Sequence, residues 1–286
     1  MPFFIVRKVA GKYVAGENAE DTLKVVNELN QQGYSVTVDI LGEHTQDKKT
    51  AMDITNQYQS LLRSIHENNL NCNISIKPSH LGMDVSKFCI LENMLQLINT
   101  AREIGQFIRI DMEDASLTDA TLELYDKCKE KYEDVGIVFQ AYLYRTQNDL
   151  TLYSKTTNFN FRLCKGIYRE SEQIAIQGRN NINNNYLKLL RFAFENNIYV
   201  GIATHDLLLI QETYKLIKDM NISNDRFEFQ VLYGVPMSGW LEKHLENHYK
   251  VRIYVPFGKD WYFYSMRRLK ENPNIATYII RDLFRK

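Results

Sequence analysis

FIRIDMED, residues 107 to 114, sets Ile108 and Ile110 against Arg109 and Asp111 in strict alternation. Successive side chains on a strand point to opposite faces, so the run reads as a strand with one apolar and one charged face. Seven other short runs rich in β-branched or aromatic residues accompany it: SVTVDILG (35 to 42), NISIKPSH (73 to 80), VGIVFQAYL (135 to 143), NFNFRLCKG (158 to 166), IYVGIATH (198 to 205), FEFQVLYG (227 to 234) and KVRIYVPFG (250 to 258). Helical patterns follow the runs. Between 47 and 69, Ala51, Ile54, Tyr58, Leu61, Leu62 and Ile65 recur at threes and fours, the period of a helix with one buried face. Strand alternating with helix eight times predicts an α/β fold, a (βα)8 barrel of TIM type, preceded by an extra helix at about residues 19 to 32. A doubly wound sheet is the rival. Its dinucleotide-binding versions carry G-x-G-x-x-G after an early strand, and the sequence has neither that nor a Walker A loop.

The 286 residues suit one barrel, since such folds take about 250 residues, and no low-complexity linker divides them. The expected organisation is a single domain over 1–286, with 1–34 as an N-terminal extension and helix and 35–286 as the barrel. Lys+Arg and Asp+Glu both number 35, and no basic block suggests a nucleic-acid partner. Cys72, Cys89, Cys128 and Cys164 are scattered without a C-x-x-C pair, which disfavours a disulfide framework or structural zinc and fits a cytoplasmic location. The N-terminal apolar run is too short for a signal peptide, and no apolar segment reaches the roughly 18 residues of a membrane span.

Split into two faces, the strands carry an unusual inward set. Ser75 and Lys77 oppose Ile74 and Ile76; Arg162 opposes Phe161 and Leu163; Arg252 and Tyr254 oppose Val251, Ile253 and Val255; Gln230 lies away from Phe229. Strands buried on both faces read as nearly continuous Val, Ile and Leu, and these do not. Inward Lys77, Asp111, Gln140, Arg162, Gln230 and Tyr254 come late in their runs, where barrel enzymes place their chemistry. A self-satisfied polar network that only fixes the barrel core is the plain alternative, because most buried ions have protein partners.

YFYSMRRLKEN, residues 262 to 272, adds two adjacent cations. As a helix it puts Tyr264, Arg267, Arg268 and Glu271 on one face at i, i+3, i+4 and i+7. That stripe reads either as the wet side of a terminal helix or as part of a site. Lys77, Arg162, Lys165, Arg267 and Arg268 against Asp111 and Glu271 leave three excess positive charges, so an anionic ligand is expected; arginine suits carboxylate and phosphate because its planar fork binds oxyanions bidentately.

The stretches DILGE, SIKPSHLG, RIDMED, FQAYLYR, RLCKGIYRE, ATHD, FEFQVLYG, RIYVPFG and DWYFYSMRRLKENP, in this order, resemble the short monofunctional bacterial proline dehydrogenases along nearly the whole chain. The resemblance implies a distorted (βα)8 barrel with the eighth barrel helix over its mouth, holding FAD without a Rossmann fold. It implies oxidation of L-proline to Δ1-pyrroline-5-carboxylate by hydride transfer from C5 to flavin N5, the first step of proline degradation to glutamate. Carried over residue by residue, Lys77, Arg267 and Arg268 clamp the proline carboxylate, Tyr254 packs on its ring and Tyr264 helps close the site. Asp111 and Glu271 orient and partly neutralise the cations. Arg162 stands beside N5, Met112 and Gln140 touch the flavin, and Lys165, Gly166, Ile167, Thr204 and His205 hold its ribityl-pyrophosphate and adenosine portions; Glu271 is also counted with the cofactor residues. Asp111, Arg162 and Tyr254 form the expected catalytic set. No strong general base stands out, so a neutral amine or water is expected to handle the proton.

Three departures from the family pattern are visible: Pro78 where an aliphatic residue is usual, Cys164 for a common Val, and Ile167 for a frequent small Ala. Only Ile167 bears on flavin packing. The resemblance also implies a quinone electron acceptor, and with it contact at the inner face of the cell membrane, and a separate pyrroline-5-carboxylate (glutamate semialdehyde) dehydrogenase as partner. DNA binding, known for multifunctional relatives, is not expected, since it would need an additional N-terminal domain. The rival readings are a non-catalytic flavin- or ligand-binding barrel and a barrel flavoenzyme of the methylenetetrahydrofolate reductase type. HLENH, with His244 and His248 at i and i+4, offers a metal pair without an evident third ligand and reads as a solvated helix face.

Overall fold

Every apolar run forms a strand, and the periodic stretches between them form helices, in the computed structural model, which describes residues 11–262 and 264–266. In chain order the elements are α1 (Ala19–Gln31), β1 (Ser35–Ile40), α2 (Lys48–Glu67), β2 (Cys72–Ile76), α3 (Lys87–Ile104), β3 (Ile108–Ile110), a 3₁₀ turn (Ala115–Leu117), α4 (Thr118–Lys129), β4 (Val135–Gln140), α5 (Thr146–Tyr153), β5 (Asn160–Cys164), α6 (Arg179–Glu195), β6 (Tyr199–Ala203), α7 (Leu207–Asp219), β7 (Phe227–Leu232), α8 (Trp240–Glu246) and β8 (Val251–Phe257). Residues 261, 262 and 264–266 are again helical.

Asp47, Ser86 and Asp206 stand just before α2, α3 and α7, and each side chain accepts an amide N–H of the first turn. Such caps pair donors that a helix cannot satisfy by itself. The eight strands are parallel and close into a barrel, with Ser35 to Ile40 of β1 registered against Arg252 to Phe257 of β8. Closure excludes the doubly wound sheet. α1 packs against β1 and β8.

The outward sets are apolar. Ile74, Ile76, Ile108, Ile110, Phe161, Leu163 and Val255 are fully buried in one cluster beneath the helices. The inward sets fill the barrel with polar contacts instead. Near the strand starts, Arg109 donates to the carbonyls of Ile137 and Asn160 at 3.0 and 3.1 Å and to Asn160 Oδ1 at 2.6 Å, while Arg252 donates to Glu228 at 2.8 Å. Gly136 and Gly201 make room for this interior: a Cβ at the first would lie 2.3 Å from an Arg109 nitrogen, and at the second 2.4 Å from Gln230 Nε2.

The HLENH reading needs correction. His244 is fully buried, stacked on Phe229 with ring centroids 3.9 Å apart and bonded through Nδ1 to the Tyr214 hydroxyl at 2.8 Å. Burial presses its pKa down to about 4, so it is a neutral core aromatic. His248, by contrast, is exposed. Among the described residues no group of three His, Cys, Asp or Glu could hold a metal, and no helix is long and apolar enough to cross a membrane. All four cysteines are free thiols.

Because Gln230 is pinned by hydrogen bonds on both sides, it cannot yield to a new methyl group without loss. Gly201→Ala is expected to lower unfolding stability by about 1–3 kcal/mol, the usual cost of overpacking, read as a reduced denaturant midpoint.

Candidate active site

β2 and β3 end one residue before Lys77 and Asp111, and β4 ends at Gln140, so these three side chains leave the wall at its C-terminal rim. Arg162, Gln230 and Tyr254 are placed differently. They sit within β5, β7 and β8, a level deeper than their late position in the sequence runs suggests. Together they floor and wall a cavity of about 450 Å³, within the range of small-molecule sites.

The floor is a chain of alternating charge. Arg252 and the Gln230 amide both donate to Glu228, the latter at 2.6 Å; Gln230 Oε1 accepts Arg162 Nε at 2.5 Å; and Arg162 reaches Asp111 Oδ1 at 2.6 Å. Asp111 also accepts the Ser75 hydroxyl at 2.6 Å and the Tyr254 phenol at 2.9 Å. The Arg162 guanidinium lies 5.0 Å from the centre of the Tyr254 ring, a cation–π contact. Burial pushes the Asp111 carboxyl up, but Arg162, Lys77 and these hydroxyl donors outweigh it and hold the pKa below its ordinary value. Asp111 is therefore an ionised anchor with its lone pairs engaged. Tyr254 is driven well above the usual phenol range by burial and by Asp111, so it stays a donor.

The rim is built by two loops that zip together. Tyr142 N–H donates to the Lys165 carbonyl at 2.9 Å and Ile176 N–H to the Tyr142 carbonyl at 2.7 Å. Between them Gly166 takes φ 104, and a Cβ there would sit 2.2 Å from the Tyr142 ring. Only glycine combines that backbone with that approach. Across the cavity, His205 Nε2 accepts the Leu232 N–H at 2.9 Å, which fixes its ring. Lys165 pairs with Asp206, which also takes Arg179 at 2.7 Å and Asn183 at 3.0 Å. Ile167 is 56% exposed at the lip, and Glu113, which Ser79 grips through both its N–H and its hydroxyl, accepts the Gln140 amide on its backbone carbonyl at 2.8 Å.

Within the described part, Lys77, Asp111, Met112, Gln140, Arg162, Lys165, Gly166, Ile167, Thr204, His205, Tyr254 and Tyr264 all line this one cavity. Arg267, Arg268 and Glu271 lie outside the described residues. The expected surplus of positive charge does not hold among the rest: Lys77 pairs with Asp39, Arg162 with Asp111 and Lys165 with Asp206. Any excess rests on the arginine pair. Asp39 and Asp206 are the residues the sequence reading missed, although both had signals. Thr37 and Asp39 alternate with Val36 and Val38 as Asp111 does with its isoleucines, and Asp206 precedes the apolar run LLLI as a helix cap does.

A sequence profile described as proline dehydrogenase matches residues 22–279. The chain is similar to Proline dehydrogenase 2 of Bacillus subtilis (strain 168), 38% identical over 280 residues that cover 98% of this chain and 92% of that protein. It is similar to the proline dehydrogenase of Deinococcus radiodurans, 31% identical over 283 residues covering 97% and 90% of the two. Among solved structures it is similar to proline utilization A (PutA) from Bdellovibrio bacteriovorus inactivated by N-propargylglycine, with a TM-score of 0.86 and 26% identity over 93% of this chain. This chain spans 33% of the length of that one.

Burial raises the Asp206 pKa, but Arg179, Lys165 and Asn183 together depress it further. A depressed carboxylate contributes stability that is present above its unfolded pKa of about 4 and is lost as the pH falls towards its folded value. Asp206→Asn should therefore lower the denaturant midpoint at neutral pH, and the gap to the unaltered protein should close as the pH drops below about 4.

Proposed function

The chain belongs to the proline dehydrogenase family, and from that premise we propose that the cavity at the barrel mouth binds L-proline beside FAD. The protein is an enzyme that oxidises proline to Δ1-pyrroline-5-carboxylate, the opening step of proline degradation to glutamate, and its family is flavin-dependent. We infer further that the flavin is FAD and that residues 1–286 form one barrel domain.

The supporting observation is convergence: Lys77, Asp111, Arg162 and Tyr254 face the same cavity as Lys165, Gly166, Thr204 and His205. The residues suit a flavin in kind. Met112, Val138, Ala203 and Leu232 offer apolar wall to a flat ring system, and Gln140 and Arg162 offer polar groups beside it. Gly166 lines the same cavity with its backbone held against the Tyr142 ring, next to the Lys165 ammonium that suits a phosphate. Lys165 shares Asp206 with Arg179 and Asn183, so it can turn to a phosphate while those two keep the carboxylate paired.

A flavin held there would supply the acceptor for the hydride that leaves proline C5. The chain orients the substrate. Burial works against the Lys77 charge, yet Asp39, Asp111 and Glu113 favour it and leave its pKa above the ordinary lysine value. Lys77 is thus an ammonium at neutral pH, suited with Arg267 and Arg268 to the proline carboxylate. A charge-assisted bond of this kind contributes about 1.5–3 kcal/mol once water is excluded. Tyr254 packs on the ring and Tyr264 narrows the entrance. Asp111 is too well held by its donors to act as a base, so the amine must arrive neutral or lose its proton to water before hydride leaves. A quinone as the electron acceptor and a separate pyrroline-5-carboxylate dehydrogenase as the next enzyme belong to the same proposal.

Under anaerobic conditions L-proline should bleach the flavin absorbance of the purified protein. A yellow protein that keeps its spectrum with proline would favour a non-catalytic barrel instead.

A further inference from the structure

Asp39 is not among the side chains that hold proline or flavin, yet it is only 1% exposed and forms part of the cavity wall. It stands one residue before the end of β1. Its Oδ2 accepts the Lys77 ammonium. Its Oδ1 lies 3.2 Å from the Tyr58 hydroxyl, which shares its proton with the Ser75 carbonyl at 3.2 Å and accepts the Ile40 N–H at 3.1 Å. Tyr58 comes from α2, on the outer layer, and is fully buried. The Tyr254 phenol interacts with Asp39 as well as with Asp111. Asp39 therefore bonds the side chain assigned to the proline carboxylate and acts electrostatically on the one assigned to its ring.

A lysine ammonium is a point charge on a flexible four-carbon stem, and burial favours its neutral form. Left alone at the mouth it would lose both direction and charge. We propose that Asp39 is a positioning residue for the substrate: it keeps Lys77 charged and aimed at the site of the proline carboxylate, while Tyr58 fixes Asp39 from the helical layer. This inference rests on the proline reading. The groups facing Lys77 are Asp39 from β1, Asp111 and Glu113 from the segment after β3, His80 in the loop after β2 and, through Asp39, Tyr254 from β8 and Tyr58 from α2. Without Asp39, burial is opposed only by the more distant carboxylates, so the ammonium is lost more readily as the pH rises.

The test is a double-substitution cycle on the flavin-loaded enzyme, with KM for proline and kcat measured for the unaltered chain, Asp39→Asn, Lys77→Met and the pair. Asp39→Asn is expected to raise KM on the order of tenfold, the worth of one charge-assisted contact, with a much smaller change in kcat. Its KM relative to the unaltered enzyme should grow with pH, and in the Lys77→Met background it should add less than about twofold, because coupled sites are non-additive. Tyr58→Phe, which keeps the packing, provides the same cycle with a smaller KM effect should Asp39→Asn not fold. Equal multiplication of KM in both backgrounds, or no change from Asp39→Asn, overturns the inference while leaving proline oxidation intact. An unaltered enzyme that fails to oxidise proline removes both.

Discussion

A guanidinium and a carboxylate carried into a closed barrel have no water to turn to, so they must find each other. The Arg162–Asp111 pair is that constraint in this protein. A buried pair of this kind is weak evidence for net stability, since desolvation offsets much of the attraction. What it does supply is geometry. Losing either partner strands the other, and Ser75, Tyr254 and Gln230 each spend a hydrogen bond on keeping the two in place. Through Gln230 the arrangement extends to Glu228 and Arg252 near the start of the strands. The floor of the cavity is one connected chain of hydrogen bonds, from Asp111 at the rim to Arg252 near the strand starts.

That connectivity bears on the chemistry. An enzyme that moves a hydride between two bound molecules gains mostly from orientation, and small displacements of a supporting group are costly. Asp111 and Tyr254 have their pKa values driven in opposite directions, one down and one up, so each keeps a single protonation state near neutral pH. Neither is free to shuttle protons. The site is built to hold charge in position.

Much of this was legible in the sequence because strand periodicity is local. Lys77, Asp111, Gln140, Arg162, Gln230 and Tyr254 were found from alternation alone, and all line the cavity. Partners distant along the chain were harder. Asp39 reaches Lys77 across 38 positions and Asp206 reaches Lys165 across 41, so an inventory of nearby residues overcounted the free positive charge. His244 was misread for a related reason: its helix position looks wet until Phe229 and Tyr214 close over it. Strand ends also shifted, since the backbone leaves the barrel at Ile76 and Ile110, before the apolar and charged alternation fades.

With its described cations already paired, the proposed route for a carboxylate is to share Lys77 with Asp39 and not to fill an empty positive hole. A crystal structure of the flavin-loaded protein with a non-oxidisable cyclic carboxylate analogue of proline tests this most directly. The expected result is the ligand carboxylate on Lys77, which keeps Asp39, with Arg162 still bound to Asp111 and Gln230. A ligand carboxylate seated on Arg162, with Asp111 released, would contradict it.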